Sequence, residues 1–289
     1  MIDYLITGCS GYIGSKVIDF LKLNNYSYLG IDKQCTDTED RLKFNLVDKD
    51  KTLQILKERK PKIIVHCGTF SAIPYREDFL SSFREDAIAL SNILEYLKQN
   101  QDVRFVFFSS SYVYSGISSD EICNEDKPLN PSHNFGIAKL FFENLILRCH
   151  FNSLIFRLSS VFGSGNQLQP NAIRNMIEQA IENKVVDVWG KGTRKMQYIY
   201  INDVVQTIID SNKFNPGVYN LGGINYISVL ETANIISKKT FSKVNFLVEK
   251  TEGYTLPLMS IDKLRNENFG KVPQEITSSL GDYINQFKI

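Results

Sequence analysis

The first 160 residues alternate short apolar runs with longer segments in which apolar side chains recur every three or four positions. The short runs predict strands, and the longer segments predict amphipathic helices. Strands that alternate with helices of about ten or more residues are typical of βαβ units, so we predict an α/β fold built on a parallel sheet. The predicted strands are residues 2–6, 28–31, 63–65, 105–108 and 154–156, with another before Asn45, and the clearest helices are residues 13–23, 78–98 and 136–149.

Beyond residue 160 the predicted elements are shorter and glycines interrupt them, at residues 163–165, 190–192 and 222–223. This pattern is typical of a smaller lobe laid over the carboxyl edge of a sheet. We therefore predict a larger domain of residues 1–160, joined by returning elements near 195–220, and a smaller mixed α/β lobe of residues 161–289. No Pro/Gly/Ser-rich linker separates the two, so we expect one compact unit with a cleft between the lobes.

The turn between the first strand and the first helix, Thr7–Gly14, contains glycines spaced G-x-x-G-x-x-G. Gly8 lets the chain turn tightly, Gly11 has no side chain to block a pyrophosphate, and Gly14 lets the helix pack against the strand. The amino terminus of the helix then presents N–H groups to the phosphates. We therefore predict a Rossmann-type, doubly wound sheet that binds a nicotinamide dinucleotide, followed by a substrate-binding lobe. The predicted contacts in the turn are Gly8, Ser10, Gly11, Tyr12, Ile13 and Gly14.

The second strand ends in an acid, Asp32, followed by Lys33. A carboxylate at this place binds both hydroxyls of the adenosine ribose and repels a 2′-phosphate, which favours NAD over NADP. Lys33 weakens that preference, so NADP stays possible. Both residues are predicted cofactor contacts.

Charge is spread evenly along the chain, with 33 Lys+Arg against 32 Asp+Glu and a formal net charge of +1. This balance gives no electrostatic argument for a nucleic acid or membrane partner.

An acid near the start argues against a signal peptide, and no apolar run approaches the ~18 residues of a membrane span. The five cysteines form no CxxC pair, so we expect reduced thiols in the cytoplasm. The three histidines have no metal-ligand spacing, so no metal is expected.

Further motifs resemble those of the extended short-chain dehydrogenase/reductases, in the NAD-dependent epimerase/dehydratase branch that acts on nucleotide sugars. Residues 109–114 are similar to the family's Ser-Ser-x-x-Val-Tyr segment, and residues 135–139 to its Tyr-x-x-x-Lys segment. The resemblance covers nearly the whole chain, and the other matching segments are residues 45–46, 66–68, 86–95, 198–203 and 220–223. It adds to the predicted cofactor contacts Asn45, Leu46, Cys67, Gly68, Thr69, Ser109 and Lys139.

The resemblance implies that Ser110 hydrogen-bonds the sugar oxygen, that Lys139 binds the nicotinamide ribose, and that a tyrosine at position 135 moves the proton. A phenol with a pKa of about 10 is a poor base at neutral pH unless a cation stabilises its phenolate. Position 135 is phenylalanine in this chain, and Phe135 cannot exchange a proton. Three explanations stay open: an engineered Tyr→Phe substitution that traps substrate, a natural member with another proton donor such as Tyr112 or His133, or a protein that binds without turnover.

The resemblance also bears on the reaction. Dehydratases of this branch carry an Asp-Glu pair where this chain has Ser111 and Tyr112, so dehydration is not expected. Oxidation or reduction at a sugar carbon remains, usually C4 in this family. The short carboxyl lobe favours a 4-keto-sugar reductase, whereas Asp32 leans towards a 4-epimerase with bound NAD, because many biosynthetic reductases use NADPH. The alternatives are that epimerase, a reductase of small non-sugar carbonyls, and a non-catalytic dinucleotide-binding protein.

The expected partner is a nucleoside diphosphate sugar. Arginines that clamp the diphosphate in the family would fall near Met196 and Lys250, and Arg194 lies on the same strand face as Met196, two residues away. Ser160 stands where many epimerases have an asparagine. These departures leave the nucleotide open. The predicted substrate contacts are Ser110, Ser111, Tyr112, Ser160, Arg194 and Lys250.

Two of the predicted helices, near residues 78–98 and 136–149, correspond to helices that pair into a four-helix dimer interface in similar proteins. Phe141, Phe142 and Leu145 would supply an apolar face for it, although the same residues fit a core equally well. We expect a homodimer.

Overall fold

The computed structural model describes residues 1–166, 171–267 and 272–287. Its strands are β1 (Ile2–Thr7), β2 (Tyr28–Asp32), β3 (Arg41–Lys43), β4 (Pro61–His66), β5 (Arg104–Ser110), β6 (Ile122–Cys123), β7 (Ser153–Leu158), β8 (Ser160–Phe162), β9 (Val185–Trp189), β10 (Lys195–Tyr200), β11 (Gly217–Leu221), β12 (Tyr226–Ser228), β13 (Lys243–Leu247) and β14 (Leu258–Met259). Its helices are α1 (Tyr12–Leu23), α2 (Lys49–Arg59), α3 (Ala72–Glu77), α4 (Phe79–Lys98), α5 (Asn134–Cys149), α6 (Ala172–Glu182), α7 (Ile201–Ile209), α8 (Val229–Thr240), α9 (Asp262–Glu267) and α10 (Ile276–Asn285).

The central sheet has seven strands in the order β3-β2-β1-β4-β5-β7-β11. Every neighbouring pair in it is parallel. The strand order reverses between β1 and β4, and in such sheets ligands bind in the crevice beyond the carboxyl ends of the strands at that reversal. The prediction of a Rossmann-type parallel sheet is confirmed.

Helices cover both faces of this sheet, which explains why its strands are continuously apolar. In β5, alternate side chains point to opposite faces. Phe105 and Phe107 pack in the core beneath α2, α4 and α5, whereas Val106 and Phe108 pack in the core beneath α1 and α7. Both layers bring loops to the same carboxyl edge of the sheet.

The residues after 160 contribute to both the large sheet and several small ones. Strand β11 is the outer strand of the central sheet, while β12, β10 and β8 form a separate three-stranded sheet. Strands β13 and β9 pair in parallel, as do β14 and β6. Helices α6, α8 and α10 pack on a third apolar core in this region. Within the described residues, no helix is both long enough and apolar enough to cross a bilayer.

A buried polar network joins the two parts of the chain. The Arg157 guanidinium pairs with Glu143 at 2.8 Å and donates to the Tyr114 hydroxyl at 2.7 Å. Tyr114 in turn donates to the Asn220 side-chain oxygen at 2.8 Å, and the Asn220 amide donates to the Ser260 carbonyl at 2.9 Å. Helix α5 and strands β7 and β11 are therefore bonded to the segment that precedes α9.

Candidate active site

The glycine turn is shaped by backbone contacts that exclude a side chain. Gly8 has φ +64°, and a Cβ there would lie 2.7 Å from the Cys67 carbonyl. A Cβ on Gly14 would lie 2.2 Å from the Gly8 oxygen, so α1 packs directly on the turn. At Gly11 the nearest atom to a Cβ is the Gly8 oxygen at 3.1 Å, with no other within 4 Å. Gly11 therefore presents bare backbone to an open space.

The amino terminus of α1 fits a diphosphate. Its cap residue is Gly11, and no side chain caps it, so the N–H groups of the first turn can bind an anion. Two hydrogen bonds fix the turn to the following lobe: Tyr12 donates from its hydroxyl to the Gly163 carbonyl at 3.1 Å, and Asn166 donates to the Ser10 carbonyl at 2.7 Å. Ile13 packs between the core under α1 and the core of the smaller lobe.

Asp32 lies at the end of β2, next to the glycine turn. Its carboxylate accepts hydrogen bonds from the Ser10 N–H at 3.0 Å and from the Gln34 N–H at 2.8 Å. These bonds hold the carboxylate beside the turn, where a ribose of a bound dinucleotide would lie. The neighbouring Lys33 ammonium pairs with Glu85 at 2.6 Å, and Glu85 also accepts from the Asn45 amide at 3.2 Å.

Leu46, the other predicted contact in this region, is buried in the core between β3 and α4. Its carbonyl accepts from the Asn92 amide at 2.8 Å. Only Asn45 of the predicted pair therefore carries a polar side chain at the half-exposed surface.

The carboxyl end of β4 is tied to the end of β1. Thr7 Oγ1 lies 2.7 Å from His66 Nδ1 and accepts from the Gly68 N–H at 3.1 Å. Burial, reinforced by the Lys139 charge, lowers the pKa of His66 to about 3, so this imidazole is neutral. Burial raises the pKa of the Cys67 thiol, which makes it an unreactive neighbour.

Lys139, from α5, is buried and donates to Thr69 Oγ1 at 2.8 Å. Its Nζ lies 4.8 Å from the centre of the Phe107 ring and 5.3 Å from that of Phe135. Burial lowers the pKa of Lys139 to about 8, and the nearby Asp86 carboxylate opposes that shift. The ammonium is thus available at neutral pH in an apolar setting, where its charge acts strongly.

Asp86 is a site residue that the sequence motifs do not predict. It is buried on α4. Its carboxylate accepts from the Tyr75 hydroxyl at 2.7 Å and from the Phe70 N–H at 3.2 Å. Burial raises the pKa of Asp86 to about 6, against the pull of the Lys139 charge. The sequence could have indicated Asp86 in one way: it is an acidic residue at a position of α4 where the helical periodicity predicts a buried side chain.

Phe135, which the resemblance aligns with a tyrosine, lies inside an aromatic cluster. Its ring centre lies 5.6 Å from that of Tyr75 and 5.9 Å, edge to face, from that of Tyr112. The Phe135 N–H donates to His133 Nδ1 at 3.1 Å, so His133 caps helix α5. Burial lowers the pKa of His133. Because Nδ1 accepts the hydrogen bond of the cap, Nε2 carries the proton of the neutral ring.

The cleft beside these groups brings together five of the six predicted substrate contacts. Its lining residues are Ser110, Ser111, Tyr112, Ser159, Ser160, Arg194, Lys195, Met196, Gln197, Tyr226, Leu256 and Pro257. The Arg194 guanidinium donates to the Tyr254 carbonyl at 3.0 Å, which anchors it at the rim. Lys250, the sixth, lies outside this lining, with its ammonium 6.0 Å from the centre of the exposed Trp189 ring.

Two predicted hydroxyls next to each other have different surroundings. Ser109 hydrogen-bonds the buried Glu143 carboxylate and so belongs to the internal network. Ser110 faces the cleft, and its Oγ accepts from the Tyr112 N–H at 3.2 Å.

The Tyr112 ring reaches the loop that borders the cleft. Its centre lies 4.6 Å from the His133 ring and 6.3 Å from the Tyr254 ring. Burial is the main cause that raises the pKa of Tyr254 to about 12, and a side-chain hydrogen bond to Tyr112 adds to it. Across the described residues, no three His, Cys, Asp or Glu side chains converge as metal ligands.

The sequence profile of the NAD dependent epimerase/dehydratase family matches residues 4–222. The chain belongs to this family. The match spans the glycine turn, Ser110, Lys139 and strand β11.

Individual relatives are distant but extend over nearly the whole chain. A protein of Methanocaldococcus jannaschii named putative UDP-glucose 4-epimerase is 23% identical over 93% of this chain and 93% of its own length. The Xenopus tropicalis protein named methionine adenosyltransferase 2 subunit beta is 24% identical, over 93% of this chain and 77% of its own. Among solved structures, MoeE5 in complex with UDP-glucuronic acid and NAD superposes with a TM-score of 0.85 at 20% identity, covering 99% of both chains.

Proposed function

We propose that this protein is an NAD-dependent oxidoreductase that acts at a sugar carbon, C4 by family analogy, of a nucleoside diphosphate sugar, as a 4-keto-sugar reductase. The observation that supports this most is the shared position of Ser110, Lys139 and the glycine turn, all at the carboxyl edge of one parallel sheet. A nucleotide-sugar 4-epimerase is the second candidate, favoured by Asp32 and by the relative named as such.

The proposed cofactor site uses mainly backbone groups and one carboxylate. The glycine turn and the start of α1 hold the diphosphate, and Asp32 holds the adenosine ribose. Lys139 and Thr69 hold the nicotinamide ribose. Bound NAD supplies the exchange of hydride with the sugar carbon. NADP stays the less favoured coenzyme, because its 2′-phosphate would face the Asp32 carboxylate.

We propose Tyr112 as the proton donor that replaces the family tyrosine. Tyr112 lines the cleft next to Ser110 and packs edge to face on Phe135. Ser110 hydrogen-bonds the substrate carbonyl oxygen, and the Tyr112 hydroxyl gives that oxygen its proton as the carbon is reduced. The Tyr254 ring, whose centre lies 6.3 Å from that of Tyr112, borders the same place. His133 is the weaker candidate, because burial lowers the pKa of its imidazole and so disfavours the protonated form that a general acid needs.

The proposed nucleotide end of the substrate meets a single arginine. Arg194 lines the cleft immediately before β10, and Met196, two residues further along, lines it without a second guanidinium. A guanidinium forms paired hydrogen bonds with a diphosphate. Lys250 and the exposed Trp189 ring form a separate cation–aromatic pair outside the cleft lining, so we assign the diphosphate contact to Arg194 first.

Calorimetry and turnover assays test this proposal. NADH and a panel of UDP-, dTDP-, CDP- and GDP-linked sugars are titrated, and turnover is followed by NADH absorbance with 4-keto sugars and by product configuration at C4. The proposal expects binding of NADH and of at least one sugar nucleotide, with net NADH oxidation. Epimerisation without net NADH oxidation would favour the second candidate. Failure of all sugar nucleotides to bind would leave the small-carbonyl reductase.

A non-catalytic role is the third hypothesis, motivated by Phe135 and by the relative named as an enzyme subunit. The Phe135→Tyr variant separates it from the others. If neither the natural chain nor this variant turns over any bound sugar nucleotide, the non-catalytic role replaces the enzyme. An engineered origin of Phe135 is also addressed, because the tyrosine variant would then gain activity that the present chain lacks.

We further propose a homodimer formed through α4 and α5. These helices pack together and expose apolar side chains: Ile88 is 41% exposed, Ile137 44% and Phe141 49%. Phe142 is fully buried in the core and Leu145 is half-buried, so Phe141 is the outward member of the predicted trio. Light scattering tests the proposal, which a monomer mass would contradict.

The compartment is also a proposal. The five cysteines are all free thiols in the described structure, which is the state expected in the reducing cytoplasm.

A further inference from the structure

A charged pair lies beside the proposed adenosine ribose site and takes no part in the steps above. Lys33 directly follows Asp32 at the end of β2, and its ammonium lies 2.6 Å from Glu85 of α4. The same ammonium sits 4.6 Å above the centre of the Phe70 ring. Glu85 also accepts a hydrogen bond from the Asn45 amide at 3.2 Å. Two independent contacts therefore direct the Lys33 and Asn45 side chains towards Glu85.

A lysine at this position has a chemical consequence for coenzyme choice. NADP differs from NAD by a 2′-phosphate on the adenosine ribose, and a cation next to the acid at the end of the second strand can accommodate that phosphate. Asp32 alone repels it, whereas a free Lys33 would attract it. Asp32 and Lys33 therefore have opposing effects on a 2′-phosphate. In the structure a third charged group, Glu85, pairs with Lys33.

We propose that Glu85 is a coenzyme-selectivity residue, which holds Lys33 away from a 2′-phosphate and adds a second negative charge to that of Asp32. This inference rests on the proposed NAD-dependent function. Glu85 and Lys33 are separated by 52 residues in the chain, so the pairing exists only in the folded protein.

The pair is well suited to substitution, because both side chains are partly in water, with 43% of Lys33 and 31% of Glu85 exposed. Exposed ion pairs contribute little to stability, so the fold will tolerate the loss of this one. Glu85→Gln is the sharpest change, since it removes the charge and keeps an oxygen for the Asn45 amide.

The test measures the Kd of NADH and of NADPH by fluorescence titration for the natural chain and for Glu85→Gln. The expected result is an increase of about fivefold in NADPH affinity relative to NADH affinity, the factor of one exposed charge contact. Adding Lys33→Met to Glu85→Gln is expected to remove the gain. Raising the salt concentration is expected to shrink it, because exposed charges are screened.

Glu95→Gln is the matched control. Glu95 lies on the same helix and pairs with Lys49 at 2.9 Å on the exposed surface, and its loss is expected to leave the affinity ratio unchanged. An unchanged ratio in Glu85→Gln would overturn the inference, as would equal weakening of both coenzymes, which would make Glu85 a structural contact alone. A natural chain that binds neither coenzyme would instead overturn the proposed function.

Discussion

The two ends of the cleft are built in different ways. At the cofactor end, three glycines and a helix amino terminus define the site, and the critical groups belong to the backbone: a Cβ on Gly14 would lie 2.2 Å from a carbonyl oxygen. At the end where we propose that the reaction occurs, side chains define the site: Ser110, Tyr112 and Arg194 line the cleft. A site made of backbone cannot change without refolding the turn. A site made of side chains can be reassigned one residue at a time, as we propose for Tyr112.

The largest effect is expected from Tyr112→Phe, which removes the proposed proton donor. Loss of a general acid commonly lowers the rate by about 10²–10⁴-fold, so kcat is expected to fall in that range with little change in KM. Restoring the family tyrosine by Phe135→Tyr in the same chain is expected to recover much of the rate. Tyr26→Phe is the matched control, since Tyr26 packs on Tyr4 at the opposite edge of the sheet. An unchanged kcat in Tyr112→Phe would remove Tyr112 from the mechanism.

The second-largest effect is expected at the glycine turn, on the affinity for NADH. Gly14→Ala places a methyl group against the Gly8 carbonyl, and relief of such a clash costs about 1–3 kcal/mol. NADH affinity is therefore expected to fall tenfold to about a hundredfold by calorimetry. Gly281→Ala is also a helical glycine substitution, but its Cβ meets only the flexible end of Lys239 at 3.0 Å. Equal NADH affinity in Gly14→Ala and Gly281→Ala would show that the turn is not where the dinucleotide binds.

A third substitution tests the substrate end of the cleft and leaves the glycine turn unchanged. Arg194→Ala removes the guanidinium that we assign to the diphosphate, and a hydrogen bond to a charged group contributes about 1.5–3 kcal/mol. Sugar-nucleotide affinity is expected to fall at least about tenfold, with NADH affinity unchanged. Arg174→Ala, which removes an arginine paired with Glu178 at 2.7 Å on α6, serves as the control. A parallel loss of NADH affinity would mean that the two ends are not independent.

The smallest effect is a shift in pH dependence. The pKa of Lys139 is lowered to about 8 by burial, so its positive charge is lost, and turnover is expected to fall, as pH rises through that value. The Asp86 carboxylate favours the charged ammonium, and Asp86→Asn removes this support. The fall is therefore expected at lower pH, by about one unit, which corresponds to about 1.4 kcal/mol. A pH–rate profile that keeps its position in Asp86→Asn would show that Lys139 does not govern it.

The sheet is predictable because each of its strands is indicated by a short continuous stretch of sequence. Mainly apolar runs of three to five residues mark the strands, and the glycine turn marks where the first of them meets a helix. The inward faces of helices are harder to predict from the period alone. The pattern on α4 places Ile88, Ile93, Leu94 and Leu97 inward; the last three are buried, whereas Ile88 is 41% exposed and that expectation is wrong. An apolar residue on an otherwise polar helix face is a surface feature that periodicity cannot distinguish from core.

The site is predictable only where one short motif contains it. Ser110, Lys139 and Asp32 each lie in such a motif, and the structure brings them to one edge. The partners of the two lysines come from distant segments: Glu85 pairs with Lys33, and Asp86 acts on Lys139, although each of these acids lies far from its lysine in the chain. Lys250 illustrates the reverse case: the resemblance implies a place near the diphosphate, whereas its ammonium lies 6.0 Å from the centre of the Trp189 ring and outside the lining of the cleft.

The hydrogen bonds of the Asn220 side chain also limit how a bulky ligand can enter the cleft. Asn220 links the outermost strand of the large sheet to the Ser260 and Cys123 carbonyls, and Asn166 bonds the glycine turn from the other side. A hinge that swings the halves apart would break polar contacts at both points, the Asn220 bond to Cys123 in the interior and the Asn166 bond at the surface. We therefore expect a ligand to enter and leave the cleft by local displacement of the segment around Tyr254 and Leu256. The hydrogen bonds of Asn220 and Asn166 would stay intact during this movement.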